Sequence, residues 1–240
     1  MSDDTIRRQT AYASQDLVFL DQPAVDTERN TSFAQTSAAA ERYLNSRYRR
    51  ALELTITVGL LIVLLPVFAI IGLGVKISSP GPILFRQLRH GQGMQMFELV
   101  KFRSMFWNND ADPAVKQAMR DDPRVTPFGR FLRCTSMDEL PQLFGVLKGE
   151  MSLIGPRPHA IEHDYYYSAL ISAYGARFHA RPGITGLAQV SGARGATPNI
   201  QDMKDRINLD IMYLQRASLM WDFRILLRTL GEIFASDRAF

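Results

Sequence analysis

Twenty-two consecutive uncharged residues, Leu54 to Val75, lie between Glu53 and Lys76 and constrain the chain more than any other feature. At 1.5 Å per residue they make roughly 33 Å of helix, enough to cross a hydrocarbon core once. Pro66 stands near the middle, where it removes a backbone hydrogen bond and clashes with the carbonyl of Ile62. Arg47, Arg49 and Arg50 precede the run, and Lys76, Arg86, Arg89 and His90 follow it. The positive-inside rule places both flanks on the cytoplasmic side. A re-entrant helix hairpin broken at Pro66 is therefore favoured over a single span. A buried core helix is the least favoured reading, because so long an uncharged run is unusual in a soluble domain.

Charge is distributed unevenly around this segment. Residues 1 to 40 carry six acids and three bases, whereas the 240-residue chain has a net charge of +4, so the remainder is basic at about +7. A basic body fits nucleic acid, anionic lipid or a phosphorylated substrate. The acidic stretch is rich in Ser, Thr, Ala, Gln and Asp without an apolar period, and is expected to be a disordered tail. A single cysteine, Cys134, excludes an internal disulfide and a cysteine-built zinc site.

After Ser78-Ser79-Pro80-Gly81-Pro82, short strands are expected at Ile83 to Phe85 and Met96 to Phe102 around a Gly91-Gln92-Gly93 turn. Residues 107 to 124 read as loops around a short helix. Leu140, Leu143, Phe144 and Leu147 follow helical spacing up to Gly149. Near the C-terminus, Leu219, Phe223, Leu226, Leu230 and Phe234 line one face of a helix. That helix could lie in a membrane interface with Trp221 at headgroup depth, or pack on the core.

Asp138 and Glu139 stand together in Thr135-Ser-Met-Asp-Glu-Leu-Pro-Gln-Leu143, amid Arg130, Arg133, Lys148 and Arg157. Adjacent carboxylates within a basic ring suit phosphate chemistry assisted by a divalent metal. The competing reading is a capping box, Ser136 to Glu139, at a helix starting near Asp138 with Pro141 in its first turn. Lys101 and Arg103 share one face of a strand, as a solvated edge or a phosphate clamp. Arg157 lies between Pro156 and Pro158, which preorganise its backbone. Arg181 to Gly192 forms a glycine-rich turn whose amides could approach a nucleotide, with Arg181, Gly183, Thr185 and Gln189, and Arg194 beyond it, as candidate nucleotide and sugar contacts. His159-Ala-Ile-Glu-His163 matches a short zinc pattern, but Pro158 precedes it and a surface or capping role is favoured.

Taken in order, Lys101 to Met105, Asp122 to Thr126, Gly129 to Leu147, Gly149 to Pro158 and Arg181 to Gly192 resemble the bacterial sugar transferase family, monotopic phosphoglycosyl transferases that act on a polyprenyl phosphate. With the Pro66-broken segment, the resemblance covers roughly residues 46 to 234. It implies that Asp138 attacks the sugar-linked phosphate of a UDP-sugar and releases UMP, and that undecaprenyl phosphate then takes the phosphosugar. It also implies that Glu139 binds Mg²⁺ while Arg133 and Arg157 hold phosphates. Cys134 and Met137 depart from the family's commoner residues without touching this chemistry, whereas Ala193, where several members carry an aromatic residue, bears on sugar contacts. The segment Arg194 to Tyr213 looks most like that of members using UDP-glucose or UDP-galactose.

The expected fold class is α+β and mostly helical. It comprises a disordered tail at 1–45, a re-entrant membrane helix at 46–76, and a small cytoplasmic α/β catalytic domain with interfacial amphipathic helices at 77–240. The expected place is the cytoplasmic face of the bacterial inner membrane, with membrane lipid, a UDP-sugar and undecaprenyl phosphate as partners and a homodimer left open. Two alternatives keep the membrane site: a Mg-dependent phosphohydrolase of lipid phosphate or nucleotide diphosphate, and a non-catalytic scaffold. Nucleic-acid binding is disfavoured, since no reading module accompanies the basic charge.

Overall fold

The computed structural model describes residues 38–107, 122–195, 197 and 199–234. Helix α1, Ala38–Leu44, buries Ala40 and Leu44, so the structured region begins before the tail boundary expected at residue 45. Residues 1–37 of that tail lie outside the described residues, as do most of the loops expected at 107 to 124.

Helix α2, Arg47–Ser78, is capped by Ser46, whose side chain accepts from the Arg49 amide. It runs without interruption through Pro66, and so corrects the expectation of two helix halves. The helix is held from outside: one stripe, including Arg49, Glu53 and Thr57 near its start and Ile71, Gly72 and Val75 near its end, is buried on the rest of the protein. Leu64, Val67 and Phe68 continue that stripe on either side of the proline. The opposite face exposes Val58, Ile62, Val63, Leu65, Ile70 and Leu73. The helix is long and apolar enough to cross a membrane by length and composition.

Both ends of α2 are fastened to the same body. At the start, Arg49 donates to Ser152 Oγ at 2.9 Å, the Ile154 carbonyl at 2.8 Å and Asp222 at 3.1 Å. Arg50 donates to the Val146 carbonyl at 2.7 Å. At the other end, Arg103 donates to the carbonyls of Ser79 and Pro80, each at 2.7 Å.

Strands β1, Leu84–His90, and β2, Met96–Phe102, form the expected antiparallel hairpin, in register from Leu84–Phe102 to His90–Met96. Thr126 caps α3, Pro127–Cys134, by accepting from Gly129, and Pro127 occupies its first turn, where no amide donor is missed. Helix α4, Gln142–Lys148, ends at Gly149 in the left-handed region, as the spacing predicts. Strand β3, Ser152–Ile154, pairs in parallel with β4, Gly183–Thr185. Between them lie α5, Ile161–Leu170, and a 3-10 segment, Tyr174–His179. Short α6, Leu187–Val190, leads to α7, Ile200–Arg216, and α8, Leu219–Phe234. Among the described residues the architecture is mixed, with many helices and two small sheets.

Helix α8 buries Asp222 and Ile225 and exposes Leu219, Met220, Phe223, Leu227 and Leu230. Leu226, which the spacing groups with Leu219, Phe223 and Leu230, packs partly against the main core, as does Trp221. The side chain of Phe234 lies outside the described residues.

Candidate active site

Asp138 and Glu139 occupy a short 3-10 turn, Met137–Glu139, between α3 and α4. Met137 and Leu140, three residues apart, pack against the core cluster of Phe102 and Leu132, so the acids between them are turned the other way. Ser136 adopts the left-handed conformation, φ 57°, and makes no side-chain cap. Helix α4 starts only at Gln142. The capping-box reading is therefore wrong; the Glu139 carboxylate has other partners.

Glu139 is 8% exposed and held by two cations. Lys101, on β2, donates to Oε1 at 2.8 Å. Arg157 donates through Nη1 to Oε2 at 3.0 Å and through Nη2 to Oε1, a two-pronged grip matched to a carboxylate. Burial opposes ionisation of Glu139, but Arg157 and Lys101 outweigh it and hold the carboxyl well below its ordinary range. Asp138, also 8% exposed, makes no hydrogen bond with any described residue. Burial raises its pKa; Lys101, Arg133 and Arg157 act against that rise without cancelling it. Adjacent acids with opposite shifts are a pattern of functional sites.

Two further arginines reach the turn. Arg133, in the last turn of α3, donates through Nε to Ser104 Oγ at 2.8 Å and lies within electrostatic range of Asp138. Arg194 donates to Ser136 Oγ at 2.6 Å. Lys101, Arg133 and Arg157 act electrostatically on the acid pair, and Arg194 reaches the same turn through Ser136. Of the ring expected from the sequence, Arg133 and Arg157 are among these, whereas Arg130 and Lys148 are exposed. Ser104 and Ser136, which position Arg133 and Arg194, carry no signal of their own in the sequence.

The other candidates lie elsewhere. Strand β2 ends at Phe102, and Arg103 turns to the buried carbonyls at the end of α2, so it is a structural clamp rather than a phosphate ligand. Arg181 sits within electrostatic range of Arg50 and Glu53 at the start of α2. Gly183 is required by backbone crowding, since a Cβ there would stand 2.1 Å from the Gly155 nitrogen. Thr185 shares a 2.7 Å hydrogen bond with Thr229, and Gln189 donates to the Ile184 carbonyl at 2.9 Å. The glycine-rich segment therefore builds the β3–β4 junction. His159 is buried against Tyr174 and Arg177 rather than at the surface, and no three-residue metal cluster of His, Cys, Asp and Glu exists among the described residues.

The donor set at the acid pair accommodates Mg²⁺. A carboxylate offers about four lone-pair positions. Three at Glu139 are taken by Lys101 and the two Arg157 nitrogens, which leaves one on Oε2. Few protein ligands suit an ion that retains waters and takes substrate phosphate oxygens.

The family model for bacterial sugar transferases matches residues 44–236. A UDP-glucose:undecaprenyl-phosphate glucose-1-phosphate transferase from Caulobacter vibrioides is 49% identical over 80% of this chain and 72% of its own length. The Escherichia coli protein of the same name is 42% identical over 82% of this chain but only 42% of itself, so the chain spans less than half of that relative. An exopolysaccharide production protein from Rhizobium leguminosarum bv. phaseoli is 40% identical over 80% of this chain and 98% of its own length. With the acid pair and its ring of cations inside the matched region, the chain belongs to the bacterial sugar transferase family.

Proposed function

We propose that this protein transfers glucose 1-phosphate from UDP-glucose to undecaprenyl phosphate, releasing UMP, as an initiating step of exopolysaccharide synthesis. The observation that carries the reading is the division of the acid pair: Glu139 is held by Arg157 and Lys101, whereas the Asp138 carboxylate has no hydrogen bond from a described residue. The names of the relatives support the substrate pair.

An ionised Asp138 oxygen attacks the sugar-linked phosphorus. An aspartyl phosphosugar forms, and the bond to the UMP oxygen breaks with its electron pair leaving on UMP. A phosphate oxygen of undecaprenyl phosphate then attacks the same phosphorus and frees Asp138. Arg133 and Lys101 balance charge on the transferring group, and Arg157 keeps Glu139 ionised and in place. Glu139 would hold a Mg²⁺ ion, whose charge would screen the phosphates and favour ionised Asp138.

The exposed apolar faces of α2 and α8 would meet lipid. Because both ends of α2 are fastened to one body, the helix enters the membrane from one side, which is the cytoplasmic face in this reading. The experiment is UMP release by the purified protein with UDP-glucose, undecaprenyl phosphate and Mg²⁺, UDP-galactose serving as the competing donor. Wild-type turnover by Asp138→Asn would sink the mechanism, and release without a lipid acceptor at the full rate would favour a hydrolase.

A further inference from the structure

Arg157 is flanked by two prolines, neither of which has an amide donor, so its loop is fastened through carbonyl groups. The Pro156 carbonyl accepts from Gly183 at 2.9 Å. The Arg157 carbonyl accepts from Nη2 of Arg177, a side chain only 3% exposed.

Arg177 is itself fixed by groups from three elements. Nη2 pairs with Asp210 of α7 at 3.2 Å, and Nη1 lies 3.8 Å from Asp164 of α5. Nη1 also donates to Tyr174 Oη at 3.0 Å and to His159 Nδ1. Tyr174 in turn donates to Asp164 at 2.7 Å. Burial and the surrounding arginines keep His159 neutral, which leaves Nδ1 able to accept.

We propose that Arg177 is a positioning residue: by holding the Arg157 carbonyl it aims the Arg157 guanidinium at Glu139 and so maintains the division of labour between Glu139 and Asp138. The inference rests on the transferase reading of that site. Nothing else on the described chain donates to the Arg157 carbonyl. Without the bond, the peptide between the prolines can rotate and carry the guanidinium away from the carboxylate.

Arg177→Lys in the full-length protein tests this. The substitution keeps the buried charge, but one ammonium cannot reproduce the fork that joins Arg157, Tyr174 and Asp210. UMP release is expected to fall about 10- to 100-fold, the effect of a misplacement of order 1 Å. The same substitution in an Arg157→Ala background is expected to change the residual rate less than about twofold, because coupled residues are not additive. Amide exchange should quicken in the peptide spanning residues 153 to 161 and stay unchanged around Leu214. Wild-type turnover, a full additional loss in the Arg157→Ala background, or quickened exchange throughout the domain overturns the proposal. If Arg177→Lys gives no cooperative melt, Tyr174→Phe, which removes the hydroxyl on Nη1, is judged by the same two measurements. Absence of UMP release from the wild type would sink the transferase reading, and the exchange result would still decide what Arg177 does.

Discussion

Arg157 grips both carboxylate oxygens of Glu139, with Nη1 3.0 Å from Oε2. Glu139 is thereby anionic and fixed, whereas the neighbouring Asp138 carboxylate takes no hydrogen bond from a described residue.

Replacing Arg157 by lysine keeps the charge and removes the fork. UMP release is expected to drop by about 10- to 100-fold, or roughly 1.4 to 2.7 kcal/mol of barrier. The check is steady-state kinetics at saturating UDP-glucose alongside a melting curve; an unchanged rate would show that Glu139 needs only a point charge.

Asp138 has a raised pKa in the folded protein, chiefly from burial. The unfolded chain therefore ionises it more readily, and this costs stability above the folded pKa and nothing below the unfolded value of about 3.9. In the absence of Mg²⁺, Asp138→Asn is expected to melt higher than wild type at pH 7 to 8, with the gain shrinking as pH falls toward 4. Glu139, depressed by Arg157 and Lys101, has the opposite sign. Its stabilisation is present above the unfolded value of about 4.3 and disappears as pH falls through the lower folded value. Glu139→Gln should consequently melt lower than wild type at neutral pH, and a melting series across pH reads both.

Arg103→Met removes the donor that satisfies the Ser79 and Pro80 carbonyls. A loss of stability on the order of 2 to 4 kcal/mol is expected, with KM for UDP-glucose unchanged in the protein that remains folded. A raised KM with an unshifted denaturation midpoint would restore Arg103 as a phosphate ligand.

Tyr48 and Ile77 are 67% and 76% exposed at opposite ends of α2. Cysteines placed there one at a time, in a Cys134→Ser background, are expected to react with an impermeant thiol reagent from the same face of the membrane. Reaction from opposite faces would make α2 a full span.

Much of the local structure is legible in the residues. The β1–β2 hairpin follows from alternation around Gly91 to Gly93, and α4 stops at Gly149 because glycine enters the left-handed region at little cost. The misreadings arise where a partner lies far along the chain. Ser136 to Glu139 satisfies the spacing of a capping box, but Lys101 and Arg157 take the carboxylate. Gly183 is crowded by Gly155 and Gln189 donates to the Ile184 carbonyl, contacts that a glycine-rich pattern does not show by itself.

The sequence by itself determined that this chain has one long apolar helix, a basic body and an acid pair amid cations, because hydropathy, charge and short periodic patterns are properties of neighbouring residues. Only the tertiary structure decided that Pro66 lies within an unbroken helix, that Lys101 faces Glu139 while Arg103 clamps the end of α2, and that Arg177 reaches the Arg157 carbonyl. Buried charges and backbone groups take whichever partners the fold brings within hydrogen-bond distance, and those partners can stand far apart in the chain, as Arg49 and Asp222 do at 173 residues.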